Sequence, residues 1–507
     1  MSSPAHTLAE SLVQSVDWLA IAPPTVVAAV ALAVLVADLF VPEARKALLG
    51  WASVAGLAAS ALLLLPLLDG DRSTFCLTGA PEVCSYTADR FTLVIQFLVL
   101  GGALLAALLS VTALKDGRKD LAEGEYWFLL LSSAAGAALL PAARDLATLI
   151  VALEVASLPA FALVGLRRGD RRSSEAALKF FLSSVTATAV SLMGISFVYA
   201  ATGTLHLTRL AERIQDVDGQ LQTLTQTGVV LTLVGFAFKT AAVPFHFWVP
   251  DTYIGAPLPV AAYLSVVGKA VGFTGLILVT VVALPSYADV WGPALAALAA
   301  LTMTVGNVGA LRQQATRAYS AVRLLAWSSV GQAGYLLVPI AAAAYSGDAE
   351  RSIGSTVAYA LMYGAVNLGA FAVAALVGRT RTLNRVSDYR CLYARNPVSA
   401  LVLAFFLLCL AGLPPGIIGL FAKVTVFSAA VDAGLGWLAV VMAVNVVIAL
   451  FYYLQWTALL FRAPEGEPVR HLPPAPVTAA IALTGVIAVA LSGAPQLVLR
   501  FADTGLF

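Results

Sequence analysis

Charge is scarce in this chain of 507 residues. Charged residues make up 11% of the sequence, whereas hydrophobic residues make up 60%. A soluble protein of this length carries roughly 25% charged residues, and a soluble core of this composition would need nearly every helix to be apolar on all sides. The composition therefore argues against a soluble enzyme and predicts that most of the chain lies in a lipid bilayer.

Apolar segments long enough to cross a bilayer recur along the whole sequence. A helical span needs about 20 mostly apolar residues. The pattern predicts an all-α polytopic membrane protein with about fourteen transmembrane helices. The predicted spans are 20–40, 46–68, 91–114, 126–142, 145–166, 176–203, 224–247, 257–284, 290–311, 323–345, 354–378, 397–431, 435–461 and 475–499.

Basic residues are missing before the first apolar run, and they are distributed unevenly between the later ones. The first twenty residues contain no Lys or Arg, which speaks against a cleaved secretory signal. Nineteen basic residues, including the cluster "RRGDRR" at 167–172, fall in one alternate set of connections, and seven fall in the other set. Because cytoplasmic loops collect Lys and Arg, we expect a multi-pass cell-membrane protein with both termini outside.

Lysine is rarer than arginine, with seven lysines among 30 basic residues, yet four of the seven fall inside predicted spans. These four are Lys179, Lys239, Lys269 and Lys423. A charge inside a span costs about 2.5–3.5 kcal/mol on insertion scales and indicates function by default. Arginine keeps its charge, whereas a desolvated lysine can release a proton near neutral pH. Lys239 and Lys269 lie too deep to snorkel easily. Lys179 lies one turn after Glu175, so snorkelling or a simple ion pair would also explain it.

Carboxylates are scarcer still within the spans. Glu154, in "LIVALEVASLPAFALVG", is the only carboxylate near the middle of a span. A lone membrane glutamate would be protonated, whereas one beside a lysine could stay ionised. Lys239 is the expected partner. A pair that opens and closes would change the proton affinity of the next lysine, although the sequence leaves a static brace open.

Two spans carry helix-breaking residues near their lysines. "KTAAVPFHFWVPD" places two prolines after Lys239, and "CLAGLPPGIIGLFAK" places glycines and prolines before Lys423. Irregular backbone at membrane depth survives only where protein or water satisfies its polar groups, and paired broken helices point to a transporter built from inverted repeats. The seventh and twelfth spans are five apart, as two five-helix repeats require. The expected organisation is three helices in 1–114, one repeat in 115–284, its inverted copy in 285–462, and a last helix in 463–507.

Four longer motifs carry a resemblance to a known family. They are "LEVASLPAFALVGLRRGDRRSSEAALKFF", "FKTAAVPFHFWVPDTYIGAPLPVAAYLSVVGKAVGF", "LLAWSSVGQAGY" and "NVVIALFYYLQW". They resemble the antiporter-like subunits of respiratory complex I, over roughly residues 20 to 500, and most closely the subunit N branch of bacterial NADH-quinone oxidoreductase. The resemblance implies proton translocation within a redox-driven pump, on a 14-helix fold with two inverted five-helix repeats.

The resemblance also implies roles for individual residues. Glu154 matches the fifth-helix glutamate, Lys239 its seventh-helix partner, and Lys269 the central lysine of the eighth helix. Lys423 matches the lysine of the broken twelfth helix, where subunit M relatives carry glutamate. Subunit L relatives have a long lateral helix at the C-terminus, whereas this sequence stops soon after its last predicted span.

Three departures from the family pattern lie near the predicted inner face. "VRLLAWSS" at 322–329 has Val322 where relatives carry lysine, and Gln455 stands where an arginine often follows the double tyrosine. The connection "RQQATRAYSA" between the ninth and tenth spans is longer than usual. These changes affect expectations about partner docking or proton entry more than those about the central relay.

No redox site is expected in this chain. Its cysteines, Cys76, Cys84, Cys391 and Cys409, lack the spacing of cluster ligands, and no GxGxxG opens a helix after a strand. By the resemblance, NAD, FMN, iron–sulfur clusters and quinone belong to partner subunits. The implied partners are subunit M and the small subunits K and J, with no nucleic acid. Cys76 and Cys84 share one outer connection, which predicts a disulfide.

The remaining polar candidates are weaker. His246 follows Pro244 in the broken seventh span and could pass protons, although an isolated histidine more often serves packing or hydrogen bonding. His206 and His471 receive no role. Asp251 either caps the eighth helix or gathers protons at the inner face.

Three interpretations therefore compete. The first is a proton-pumping subunit of NADH-quinone oxidoreductase, or of a related redox-driven complex with another electron donor. The second is a subunit of a sodium/proton antiporter, which would keep the same glutamate and lysines. The third is a membrane scaffold, against which the broken helices and buried lysines argue.

Overall fold

The described chain is almost entirely helical. A computed structural model describes residues 16–116, 121–463, 473–502 and 505–506. Within these ranges, eleven helices are long and apolar enough to cross a membrane. The all-α polytopic fold class is therefore confirmed, while the count of fourteen spans stays a prediction. His471 and three basic residues used for the orientation lie outside the described ranges; those three are Arg118, Lys119 and Arg470.

The helices follow one another through short connections, with π-helical turns at Leu264–Gly268 and Leu278–Ala283. They are α1 (Trp18–Asp38), α2 (Ala47–Leu62), α3 (Arg90–Asp116), α4 (Glu123–Leu139), α5 (Leu146–Val164), α6 (Arg171–Thr202), α7 (Leu207–Arg213), α8 (Gln222–Thr240), α9 (Trp248–Gly255), α10 (Leu258–Tyr263), α11 (Lys269–Ile277), α12 (Ala288–Leu311), α13 (Ser320–Ala342), α14 (Ala349–Thr380), α15 (Leu392–Arg395), α16 (Pro397–Ala411), α17 (Ile417–Asp432), α18 (Gly436–Leu460), α19 (Ala475–Gly493) and α20 (Gln496–Leu499).

A β-hairpin between α2 and α3 lies outside the predicted spans, as do the short helices α7 and α15. Strands β1 (Arg72–Leu77) and β2 (Ala80–Ala88) pair antiparallel. Cys76 lies opposite Cys84 and forms the expected disulfide with it. The Tyr86 hydroxyl donates to the Ala20 carbonyl at 3.0 Å, which ties the hairpin to the start of α1.

The seventh and twelfth predicted spans are each broken, as the sequence predicts. Helix α8 ends at Thr240 and α9 begins at Trp248, while α16 ends at Ala411 and α17 begins at Ile417. Each break contains proline, which lacks an amide hydrogen and weakens a helix; Pro244 lies in the first break, and Pro414 and Pro415 lie in the second. Gly412 ends α16 with φ of 83°, a left-handed conformation that favours glycine.

Close packing fixes α6 against α8, which carries Lys239. A Cβ atom added to Gly194 on α6 would lie 2.4 Å from the backbone nitrogen of Thr232 on α8. The Ser191 hydroxyl accepts a hydrogen bond from the Gly235 amide at 2.7 Å and donates one to the Thr232 carbonyl at 2.9 Å. The absence of a side chain at Gly194 allows this close approach, so the two helices hold a fixed register.

Candidate buried-lysine site

Three of the four predicted intramembrane lysines are buried. The exposed fractions are 5% for Lys239, 2% for Lys269 and 5% for Lys423. Lys239 lies in the last turn of α8, Lys269 is the first residue of α11 after a π-helical turn, and Lys423 lies in α17 just beyond the second break. The structure thus places each of them beside an irregularity in its helix, where backbone and side chains leave more room for polar contacts.

Lys239 has aromatic neighbours. Its ammonium nitrogen lies 4.9 Å from the ring centroid of Phe161, 5.0 Å from that of Phe180 and 5.6 Å from that of Phe238. The three rings come from α5, α6 and α8. All three distances fall within the range of cation–π attraction. Three ring faces therefore surround a cation that makes no hydrogen bond within the described part of the chain.

Glu154 contacts a different partner from the one the sequence suggests. Its Oε1 accepts a hydrogen bond from the Thr188 hydroxyl at 2.7 Å, between α5 and α6. No ion pair of 4.0 Å or less joins it to Lys239 among the residues described. The two charges share one region without touching.

Lys269 lies without a hydrogen-bond partner for its ammonium nitrogen in the described structure. Between Lys239 and the turn that precedes Lys269 is a cavity of about 20 Å³, enough for one water molecule. Its polar wall contains Ser133, whose hydroxyl is 2.9 Å from that of Tyr263. The route between these lysines is therefore short and only sparsely polar.

Lys423 lies against the broken end of a helix. Its ammonium donates to the carbonyl of Leu410 at 2.9 Å and to that of Ala411 at 2.7 Å. The last carbonyls of a helix have no amide partner within that helix, and its C-terminus favours a positive charge. Lys423 therefore caps α16 from α17, with the ring of Tyr335 5.6 Å away.

Hydrogen-bonded hydroxyl and amide side chains occupy the space between Lys269 and Lys423. The Tyr363 hydroxyl donates to the Ser265 carbonyl at 3.1 Å and lies 2.9 Å from the Ser329 hydroxyl. Tyr363, Tyr359 and Gln332 also line a cavity of about 20 Å³ next to Lys423. The Tyr359 hydroxyl donates to Gln332, so the polar groups form a nearly continuous chain.

These polar residues were missed at the sequence level, although α14 carries a signal. Ser355, Tyr359, Tyr363 and Asn367 recur every four residues, which places them on one face of that helix. The Asn367 amide donates to the Ser265 hydroxyl at 2.7 Å, four residues before Lys269. A polar stripe at helical spacing in an apolar span would have identified them.

Lys179 is not part of the buried group. It is half-exposed and pairs with Glu175 at 2.7 Å, as the i,i+4 interpretation predicts, and also with Asp251 at 2.9 Å. Asp251 lies within α9, so it does not cap the eighth span, and its other oxygen is 3.9 Å from Arg323. His246 is half-buried in the break, 5.5 Å from the Trp327 ring between centroids.

A large groove lies beside the helix that carries Lys423. A groove of about 840 Å³ separates the start of α14 from the end of α17. Asp348, Arg351 and Asp432 line it, and Ser428 donates to Asp432 at 3.0 Å. Phe421 and Val424 also line the groove, on either side of Lys423 in the sequence. The groove therefore reaches the helix of Lys423 without reaching its ammonium.

The two substitutions among the family departures occupy different environments. Val322 is buried in α13, where a lysine would have to be accommodated in a packed position, while Gln455 is exposed on α18. Cys391 and Cys409 are free and buried. Within the described ranges, no group of three or more His, Cys, Asp or Glu side chains is placed to hold a metal ion.

Comparisons with known proteins show what the chain as a whole is similar to. Residues 143–449 match the membrane family described as NADH:quinone oxidoreductase/Mrp antiporter, TM. The chain is similar to NADH-quinone oxidoreductase subunit N 2 of Streptomyces griseus, with 74% identity over 514 residues, 98% of this chain and 96% of the relative. A chain of respiratory complex I from Thermus thermophilus is 31% identical, with a TM-score of 0.76 over 94% of this chain and 98% of that one. A chain of the Mrp complex from Dietzia sp. has the same fold, with a TM-score of 0.81, 22% identity and 96% coverage of each chain.

Proposed function

This chain belongs to the membrane family of NADH:quinone oxidoreductase and Mrp antiporter subunits, and we propose that it is the proton-translocating subunit N of an NADH-quinone oxidoreductase. The observation that carries the proposal is the series of three buried lysines, each at a helix irregularity, with polar side chains between the last two. A lysine in such a setting can accept and release a proton, which arginine cannot do.

The proposed relay runs from Glu154 through Lys239 and Lys269 to Lys423. In the described state Lys239 is held by rings and Glu154 by Thr188, which fits an open state of a pair that also closes. The small cavity beside Lys239 and the tyrosines of α14 would pass protons between the lysines. Lys179 and His246 are accessory candidates at the edge of this route.

The proposed orientation of the chain in the membrane follows the positive-inside rule. Disulfides form on the oxidising side of a membrane, so the Cys76–Cys84 bond supports an outer position for the hairpin and both termini. The segments 115–284 and 285–462 each contain one broken helix and would be the inverted repeats. We expect subunits M, K and J as neighbours, with NAD, FMN, iron–sulfur clusters and quinone held by other subunits.

The experiment compares the pump with the antiporter. The complex that contains this chain is reconstituted into vesicles, and internal acidification is followed after NADH and quinone are added in sodium-free medium. The proposal expects acidification that stops when quinone reduction is inhibited. If a preformed pH gradient instead collapses on addition of sodium without any electron donor, the chain serves a sodium/proton antiporter.

A further inference from the structure

The three rings around Lys239 form a contiguous aromatic wall, which we call the lysine cage and define as Phe161, Phe180 and Phe238. The Phe161 and Phe180 centroids are 4.6 Å apart with nearly perpendicular planes. All three side chains are buried. Several ring faces around one ammonium make up the arrangement by which proteins hold cations without carboxylates.

A fourth aromatic residue supports the cage. Trp248, at the start of α9, stacks on Phe180 with centroids 4.3 Å apart and planes 11° from parallel. Its indole nitrogen donates to the Phe238 carbonyl at 3.2 Å, so the same side chain fixes the backbone of the third ring. The cage thus exists as a preformed structure, tied to the helix that follows the break.

Phe161, one ring of the cage, and Glu154 lie at different depths along α5. Phe161 follows Glu154 by seven residues on α5, so both residues lie on one face, roughly 10 Å apart along the helix axis. Glu154 is meanwhile satisfied by Thr188. Each partner of the predicted pair therefore has a contact of its own in the described structure, Lys239 with the rings and Glu154 with Thr188.

We propose that the lysine cage is a second binding place for the Lys239 ammonium, so that this side chain alternates between the cage and Glu154. Phe161 and Phe180 are then positioning residues of the relay, which act through Lys239. This inference rests on the proposed function and adds what holds the lysine when the pair is open. A static Glu154–Lys239 brace would need no such place.

Graded fluorination tests the cage without changing its shape. Phenylalanine at position 161 or 180 is replaced in the intact complex by its mono-, di- and trifluoro analogues, which weaken the negative ring face stepwise while keeping an apolar ring. NADH-driven proton pumping should fall with each fluorine, by roughly three- to tenfold over the series. The matched control is Phe181, which is 41% exposed and packs edge-on to Phe161 at 5.8 Å between centroids.

A second measurement records where the lysine goes. In a structure of the complex with Phe161→Leu and Phe180→Leu, the Lys239 ammonium should move to within ion-pair distance of Glu154. If it stays in place, or if pumping is flat across fluorination at both positions, or if Phe181 responds equally, the cage proposal is wrong. Near-normal pumping by Lys239→Ala would instead overturn the proposed relay, which distinguishes the two failures.

Discussion

The two broken helices hold their lysines by opposite means. Lys239, at the first break, has three phenyl rings and no hydrogen bond among the described residues. Lys423, at the second break, donates two hydrogen bonds to carbonyls at the end of α16. A ring face attracts a cation over a broad area, whereas a carbonyl requires a donor at a defined distance and angle.

This difference suggests different tasks. Lys239 can leave its rings without exposing an unsatisfied polar group, so this side chain is free to change partners. Lys423 cannot leave without orphaning two carbonyls, so it suits a fixed site through which protons pass. The cavities beside the two lysines are alike in being small and mostly apolar, so the difference lies in the direct contacts of each ammonium.

The largest effect is expected at Lys269, the lysine between these two regions, which has no hydrogen-bond partner in the described structure. Lys269→Ala should reduce proton pumping to near background in vesicles that carry the assembled complex. Lys269→Arg should fail as well, because arginine holds its proton. The control is Lys115→Arg, an exposed position at the end of α3.

Pumping near the normal rate in either Lys269 variant would contradict this prediction. Protons would then not pass between the Lys239 and Lys423 regions through this residue. Complex abundance is measured in the same membranes, because a loss of assembly would imitate a loss of pumping.

A somewhat smaller effect is expected from uncoupling the open pair. Glu154→Gln and Lys239→Ala should each impair pumping, and the double variant should be little worse than either single variant, because both residues serve one step. The charge swap, Glu154→Lys with Lys239→Glu, should assemble and yet not pump, since it reverses the polarity towards Lys269.

The measurement is a double-mutant cycle on pumping rates at equal abundance of complex. Strictly additive losses would mean that the carboxylate and the lysine work separately. The lack of contact between Glu154 and Lys239 in the described structure would then mean that they act independently, and not that their ion pair is open.

Sequence and structure agree best where the signal is local. Broken helices follow from prolines and glycines, and buried lysines follow from charge scarcity, so both could be read from short windows. The hairpin was missed because a connection between apolar runs carries no membrane signal. Its disulfide was nevertheless predicted, since both cysteines lie in that one connection.

The contacts that define the site depend on packing between distant segments. The cage joins α5, α6 and α8, and phenylalanines in apolar spans look like ordinary core residues in the sequence. The sequence suggested Lys239 as the partner of Glu154 because the two carry opposite charges. Thr188 on α6, the partner in the structure, is uncharged and could not be recognised in this way. The tyrosines of α14 could have been found by their four-residue spacing.

A smaller effect is expected on stability, where replacing the two lysines should have different consequences. Lys423→Met leaves two carbonyls without a donor, so the free energy of unfolding should fall by about 1–3 kcal/mol. Lys239→Met removes a buried charge that has no hydrogen bond, so its effect should be neutral or stabilising. Thermal denaturation of the purified full chain in detergent, followed by tryptophan fluorescence, compares the two. Equal destabilisation by both variants would show that the lysines are held in similar ways.

The smallest effect on activity is expected at the hairpin, whose side of the membrane indicates the side to which each region opens. If the hairpin is outside, the Asp251 cluster beside the first break faces inward and the groove at Asp432 faces outward. In sealed cells, an impermeant maleimide should label Cys76 and Cys84 only after reduction, while the buried Cys391 stays unlabelled as the internal control.

Replacing both hairpin cysteines by serine should cost about 2 kcal/mol of stability through the short closed loop, and it should leave pumping within about twofold of normal, because no relay residue touches the hairpin among the contacts described. Labelling of both cysteines without prior reduction would rule out the disulfide. Labelling only in inverted vesicles would reverse the orientation, so that the groove beside Lys423 would become the inner opening and the Asp251 cluster the outer one.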